Sequence, residues 1–194
     1  MLKVLSKVNP NHSYFVFKIK IQLPKVIIVF FINLIGFDFV WFGLIYWGNA
    51  FTPIAFLLLG LHFYFAAKAK LKELYLICAV ASIGILVDST LQYLRIFIFP
   101  ELNILPLWLV TLWFCFAATL CHSLKFLQHS KLLQWFTGAF LAPMSYLAGY
   151  KLDVVSFSLT ATSTFVVLSF VWSVLMIVFF TLKSYLIQED HNYA

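Results

Sequence analysis

Three ionisable side chains stand inside long apolar runs: Asp38, His62 and Asp88. Such groups are costly at membrane depth and are functional candidates by default. A carboxyl and an imidazole can exchange a proton, because imidazole titrates near physiological pH. Around Asp88 the spacing carries more. Gln92 and Arg95 follow at i+4 and i+7, so the three share one helix face, and Gly84 continues that stripe. The face cannot point to lipid cheaply, so it must meet other helices or a wet cavity. Arg95, near the outer end of its helix, can snorkel to the interface or reach down to Asp88. Its guanidinium suits a carboxylate or a phosphate. Tyr146, one turn beyond Pro143, and Trp113 complete a candidate ligand-binding set of His62, Asp88, Gln92, Arg95, Tyr146 and Trp113. Read as packing instead, Asp88 and Arg95 are a pair that fixes helices, Asp38 is held by Asn33 or by a polar group on a neighbouring helix, and His62 donates to a carbonyl.

These groups must be carried by helices. Apolar residues make up 63% of the 194-residue chain and charged residues 10%, against about 25% charged in a soluble domain. The 23 Phe are too many for one water-soluble core. Ten-residue alternating strands, the mark of a membrane barrel, are absent. Backbone groups in hydrocarbon then require helices. The expected fold is an all-α polytopic integral membrane protein, a six-helix transmembrane bundle with spans near 26–47, 51–67, 74–97, 105–127, 132–150 and 162–186. A basic segment, 1–25, precedes it and an acidic tail, 187–194, follows. The run from Val26 to Trp47 exceeds a signal-peptide apolar core and reads as a retained span. Pro24 suits the first turn of that helix.

Lys and Arg placement sets orientation. With the N-terminus inside, eleven basic residues fall on inner segments, and only Arg95 and Lys151 fall on the outer side. An even span count then puts both termini in the cytoplasm. In this orientation Asp38 and Asp88 lie about 18 and 21 Å up from the inner end, and His62 about 16 Å down from the outer end. Those depths allow contact between adjoining helices.

The net charge of +6 is not a nucleic-acid signal, because the Lys residues sit between apolar runs at headgroup level. The expected partners are the bilayer and a small-molecule or lipid ligand, with no nucleic acid. Cys78, Cys115 and Cys121 lie within apolar segments and read as packing. His122 and His129 read as solvated groups. No Cys/His spacing matches a metal site, so no metal and no cofactor are expected. On the fifth span, Gly138, Ala139, Ala142, Ser145 and Gly149 allow close helix approach. Pro143 there frees the carbonyl of Ala139.

Pro106-Leu107-Trp108 with Leu112-Trp113, Phe116-Ala117 and Thr119-Leu120 forms one signature, and Pro143-x-Ser145-Tyr146 with Gly149 another. With Asn33, Trp41, His62 and Asp88 in the same order, the chain resembles a family of small multi-pass bacterial inner-membrane proteins of unknown function, over roughly residues 26–185. The resemblance implies a bacterial cytoplasmic membrane and no assigned activity. Asp38 departs from the amide expected at its position.

Three functions fit. The first is binding or transport of a small polar or amphiphilic ligand through an intramembrane polar cavity, with Arg95 meeting an anionic group. The second is a lipid- or isoprenoid-modifying enzyme using His62 and Asp88 as acid and base. Against it, HExxH, a His-box array and GxSxG are all absent. The third is a structural or accessory subunit of a membrane complex.

Overall fold

A computed structural model of the protein describes residues 10–67, 69–99 and 104–187, with the side chains of residues 10–26 excepted. Lys3, Lys7, Lys68, the loop with Pro100 and Glu101, and the tail with Glu189 and Asp190 lie outside the described residues.

The helices, in chain order, are α1 (Pro10–Trp47), α2 (Thr52–Ala66), α3 (Lys70–Tyr93), α4 (Leu107–Thr119), α5 (Lys131–Lys151) and α6 (Ala161–Leu186). Three stretches are long and apolar enough to cross a membrane: Ile27–Ala66, Lys70–Tyr93 and Ala161–Leu186. The first of these reverses direction at a 3₁₀ turn over Gly48–Phe51. Gly48 holds φ +55° there, a left-handed conformation that glycine adopts without Cβ strain. The turn lays α2 back along α1. Helix α1 is continuous from Pro10, so Pro24 lies inside it and not in its first turn. A proline removes one backbone hydrogen bond, and the helix continues past it.

Large apolar side chains face outward on every helix. Phe65 is 78% exposed and Phe170 75% exposed, a surface that suits hydrocarbon and not water. Inside, Leu44, Leu76, Val80, Leu168 and Phe179 are fully buried.

Helix α4 is the shortest of these helices. Its 13 residues rise roughly 20 Å, short of a hydrocarbon core of about 30 Å. The sequence reading carried this helix from 105 to 127, but it ends at Thr119, whose hydroxyl donates to the Phe116 carbonyl. The chain then turns through a 3₁₀ segment, Lys125–His129. Irregular backbone at this depth is tolerated where protein buries it. Here Lys183 of α6, only 6% exposed, donates from Nζ to the Leu120 carbonyl at 2.8 Å and to Gln128 Oε1 at 2.9 Å. At the other end of α4, the Asn49 side chain accepts the Trp108 N–H at 2.9 Å, so the α1–α2 turn caps a helix far along the chain.

Two short strands, β1 (Phe97–Ile98) and β2 (Ser156–Phe157), pair antiparallel, with Phe97 opposite Phe157. Matching helix ends lead into them. After α3, Arg95 N–H bonds Gln92 O and Ile96 N–H bonds Leu91 O. After α5, Asp153 N–H bonds Tyr150 O and Val154 N–H bonds Gly149 O. Both are Schellman caps with a non-glycine residue at the left-handed position, Arg95 at φ 57° and Asp153 at φ 59°.

Helices α5 and α6 make the most extensive helix pair. A Cβ on Gly138 would run into the Trp172 carbonyl and come within 2.8 Å of Ser173 Cα, so glycine sets how closely the two backbones approach.

Candidate functional site

The polar side chains form two clusters at opposite ends of the helices, with a cavity between them. The first centres on Asp88, which is fully buried on α3. Trp113 of α4 donates from Nε1 to Asp88 Oδ2 at 2.7 Å. The Tyr146 hydroxyl of α5 donates to the same carboxyl, 2.8 Å from Oδ1 and 3.0 Å from Oδ2. Trp113 also lies parallel to Trp172 of α6, with ring centroids 5.0 Å apart. One carboxyl thereby fixes two aromatic rings and ties α3 to α4 and α5. The Gly84 stripe has a concrete use: a Cβ there would enter the Trp113 ring, so glycine lets the indole lie against α3.

The second cluster lies at the other end, beside the N-terminal turn of α3 and the turn after α4. Asn33 Oδ1 accepts the Ser123 N–H at 3.0 Å and the Ser123 hydroxyl. Its amide nitrogen lies 3.4 Å from His62 Nε2. His62 and His122 meet edge to face at 4.6 Å between centroids, and His122 Nε2 lies 3.3 Å from Glu73 Oε2. The group joins α1, α2, α3 and the turn after α4.

His62 and Asp88 are therefore in separate clusters. His62 is four residues from the C-terminal end of α2, while Asp88 is eighteen residues along α3, so they lie roughly 20 Å apart along the helix axes. Helix α2 has only 15 residues, so a residue ten beyond its first lies close to its C-terminal end. Asn33 binds Ser123 and His62, and among the described residues no hydrogen bond links it to Asp38. His122, read from sequence as solvated, is inside the inner cluster, its side chain 8% exposed. Arg95 is exposed at the cap of α3, and Asp88 takes Trp113 and Tyr146 as its partners instead. Gln92 is half-buried one turn before that cap. Trp108 is buried at 8% exposure against Phe99. Cys115 is buried, as packing requires, whereas Cys78 is exposed.

The cavity has a volume of about 330 Å³, within the usual range for ligand sites. Helix α1 lines it with a stripe at helical spacing: Leu34, Phe37, Asp38, Trp41 and Ile45. That stripe is about 17 Å long. Helix α4 gives the floor through Leu112, Trp113 and Phe116, and α6 adds Trp172 and Met176. The opposite wall is α5, where Ala142, Ser145 and Gly149 leave room that larger side chains would fill. Phe99, Val154 and Val155 stand at the end near the β1–β2 pair, and Thr119, Ser123 and Leu124 at the opposite end.

Asp38 and Leu141 both line the cavity and are both exposed, Leu141 at 63%. The cavity therefore opens sideways between α1 and α5, toward the surface that carries the exposed apolar side chains. Of the candidate set, Trp113 and Tyr146 line it. Asp88 stands behind them, and His62, Gln92 and Arg95 are not among its walls. Asp38, outside that set, also lines the cavity, at i, i+3 spacing to Trp41 on a face shared with Leu34 and Ile45.

No curated protein and no solved structure matches the chain. A family model described as a protein of unknown function (DUF2878) matches residues 30–178. That stretch takes in the whole cavity, from Leu34 to Met176, and both polar clusters. Covering well over half of the sequence, the match makes this chain a member of that family of unknown function.

Proposed function

We propose that this protein binds an amphiphilic ligand in the lateral groove between α1 and α5, and holds or carries it within the membrane. The observation behind this reading is the 330 Å³ cavity with apolar walls and a side opening. A ligand with an apolar chain can enter from the hydrocarbon without crossing water. The groove's length of about 17 Å along α1 suits an extended chain more than a compact solute. Trp113 and Tyr146 are the members of the sequence-derived ligand set that would touch it. Asp88 acts through them as a positioning residue.

The same proposal covers the setting. The helices cross a bacterial inner membrane six times, with both termini in the cytoplasm. The up-and-down order is supported by contacts at each end. Asn49 meets Trp108 and β1 meets β2 on the side of Arg95 and Lys151, while Glu73 meets His122 and Lys183 meets Leu120 on the Lys-rich side.

The acid–base reading has less support, because both Asp88 oxygens are engaged by Trp113 and Tyr146 while His62 stands in the other cluster. An accessory-subunit reading drew on the small residues of α5, and the Gly138 contact spends that surface on α6.

Four of the six Trp residues line the groove: Trp41, Trp108, Trp113 and Trp172. Intrinsic fluorescence therefore reports occupancy. In nanodiscs, a bromine-labelled alkyl chain titrated at low mole fraction should quench this fluorescence along a saturable curve. Ala142→Phe, which fills the groove, should leave only the linear quenching of general partitioning. Quenching that is linear in both proteins would refute the groove as a binding site.

A further inference from the structure

We infer that the groove selects amphiphiles whose polar end is a cation, a protonated or quaternary amine, received by Asp38 between aromatic walls. The inference rests on the groove reading and specifies its ligand class.

Charge comes first. The chain is basic overall, at +6, yet no Lys, Arg or His is among the residues lining the groove, and its one ionisable carboxyl is Asp38. The protein's net sign and the groove's sign are therefore opposite. Among the described residues no hydrogen bond or ion pair engages Asp38, in contrast to Asp88, whose oxygens are both taken. Asp38 lies nine residues before the end of α1, about 14 Å below its outer end and far from the headgroups. A carboxylate at that depth gains most from a cation that enters with the ligand.

The walls point the same way. Phe37, Trp41, Trp108, Trp113, Phe116 and Tyr146 present ring faces or edges to one cavity. Trp41 is one helical turn from Asp38 on the same face. Aromatic rings attract cations through their quadrupole, with Trp the strongest, and rings around an acidic group form the usual receptor for ammonium ligands. A phosphate or sulfate finds no cationic partner in this groove. A zwitterionic phospholipid would leave its phosphate unpaired, so an amphiphile with amine and no anionic group fits better. This reverses the anionic ligand expected from Arg95, whose side chain is exposed beyond the helix cap.

The test uses three compounds with one tail: decyltrimethylammonium, decanol and decyl sulfate. Each is titrated against the bromine-quenched protein in nanodiscs, and recovery of Trp fluorescence reports displacement. For the wild type, the cation should displace the probe at roughly tenfold lower concentration than the alcohol, with the sulfate weakest. Asp38→Asn should bring the cation to the level of the alcohol and leave the alcohol unchanged, while Asp38→Glu should keep the preference. If all three compounds displace equally in the wild type, or if Asp38→Asn keeps the cation preference, the inference is overturned and the groove reading stands. If no compound, decanol included, displaces the probe, both fall. The headgroup comparison in the wild type decides the matter even where a variant folds poorly.

Discussion

Tyr146→Phe removes one oxygen atom and leaves the ring that packs against Phe97 and Trp172. Among the described residues, two groups donate to Asp88: the lost hydroxyl and Trp113 Nε1. Asp88 is 0% exposed, so water cannot replace the missing donor. A typical side-chain hydrogen bond within a membrane protein contributes about 0.6 kcal/mol, because the unfolded chain finds other partners. Leaving a buried polar group short of a partner costs about 1–3 kcal/mol. The second figure should govern here, since Asp88 has a single remaining donor. Tyr146→Phe should therefore lower stability by about 1–3 kcal/mol. Asp88→Asn turns one of the two carboxylate acceptors into a donor, so Trp113 and Tyr146 are left to share a single amide oxygen and the pair is weakened. The two changes should not add: once Asp88 is Asn, the further loss of the hydroxyl should cost at least about 1 kcal/mol less than it does alone. Unfolding of the purified protein in mixed micelles by added SDS, followed by circular dichroism, gives the four stabilities. Single changes within about 0.5 kcal/mol of wild type that add without coupling would refute the Asp88 cluster as an organising element.

Gly138→Ala should destabilise by about 1–3 kcal/mol, since its Cβ meets the Trp172 backbone, which cannot rotate away; the same SDS titration measures it. Arg95→Gly should be neutral, or stabilising by up to about 1 kcal/mol, because it relieves a left-handed φ of 57° and removes an exposed side chain. Loss of ligand quenching in that variant would return Arg95 to the site. Asn33→Ala should cost about 1–3 kcal/mol by leaving the buried Ser123 N–H without its acceptor, and tryptic cleavage after Lys125 should speed up as the turn after α4 loosens.

Much of the architecture was legible in the residues. Long apolar runs separated by Lys, Pro and Gly give the helices, because backbone in hydrocarbon has few alternatives. Small residues marked α5 as a close-packing helix. The candidate site was legible only in part. Asp88 drew attention as a buried charge, and Tyr146 and Trp113 were named, but their convergence on one carboxyl was not readable. Helical spacing tells which residues share a face of one helix and says nothing of which helix stands opposite. By that rule Asp88, Gln92 and Arg95 belonged together, yet Arg95 ends in a helix cap and Asp88 turns to α4 and α5.

The sequence by itself determined the helical class and the long apolar stretches that could cross a membrane, because these depend on composition and on order along the chain. Tertiary structure decided the depths and the partners. The early stop of α4 at Thr119 places His122 and Ser123 against Glu73 and Asn33, contacts bridging 49 and 90 residues of sequence. The groove also arises only in three dimensions. It is the space left where α1 and α5 flank α4, with Ala142, Ser145 and Gly149 too small to fill it. Asp38 looks like an isolated charge until that space gives it a wall to stand on. Packing between helices far apart in sequence creates the cavity, and no local pattern encodes a void.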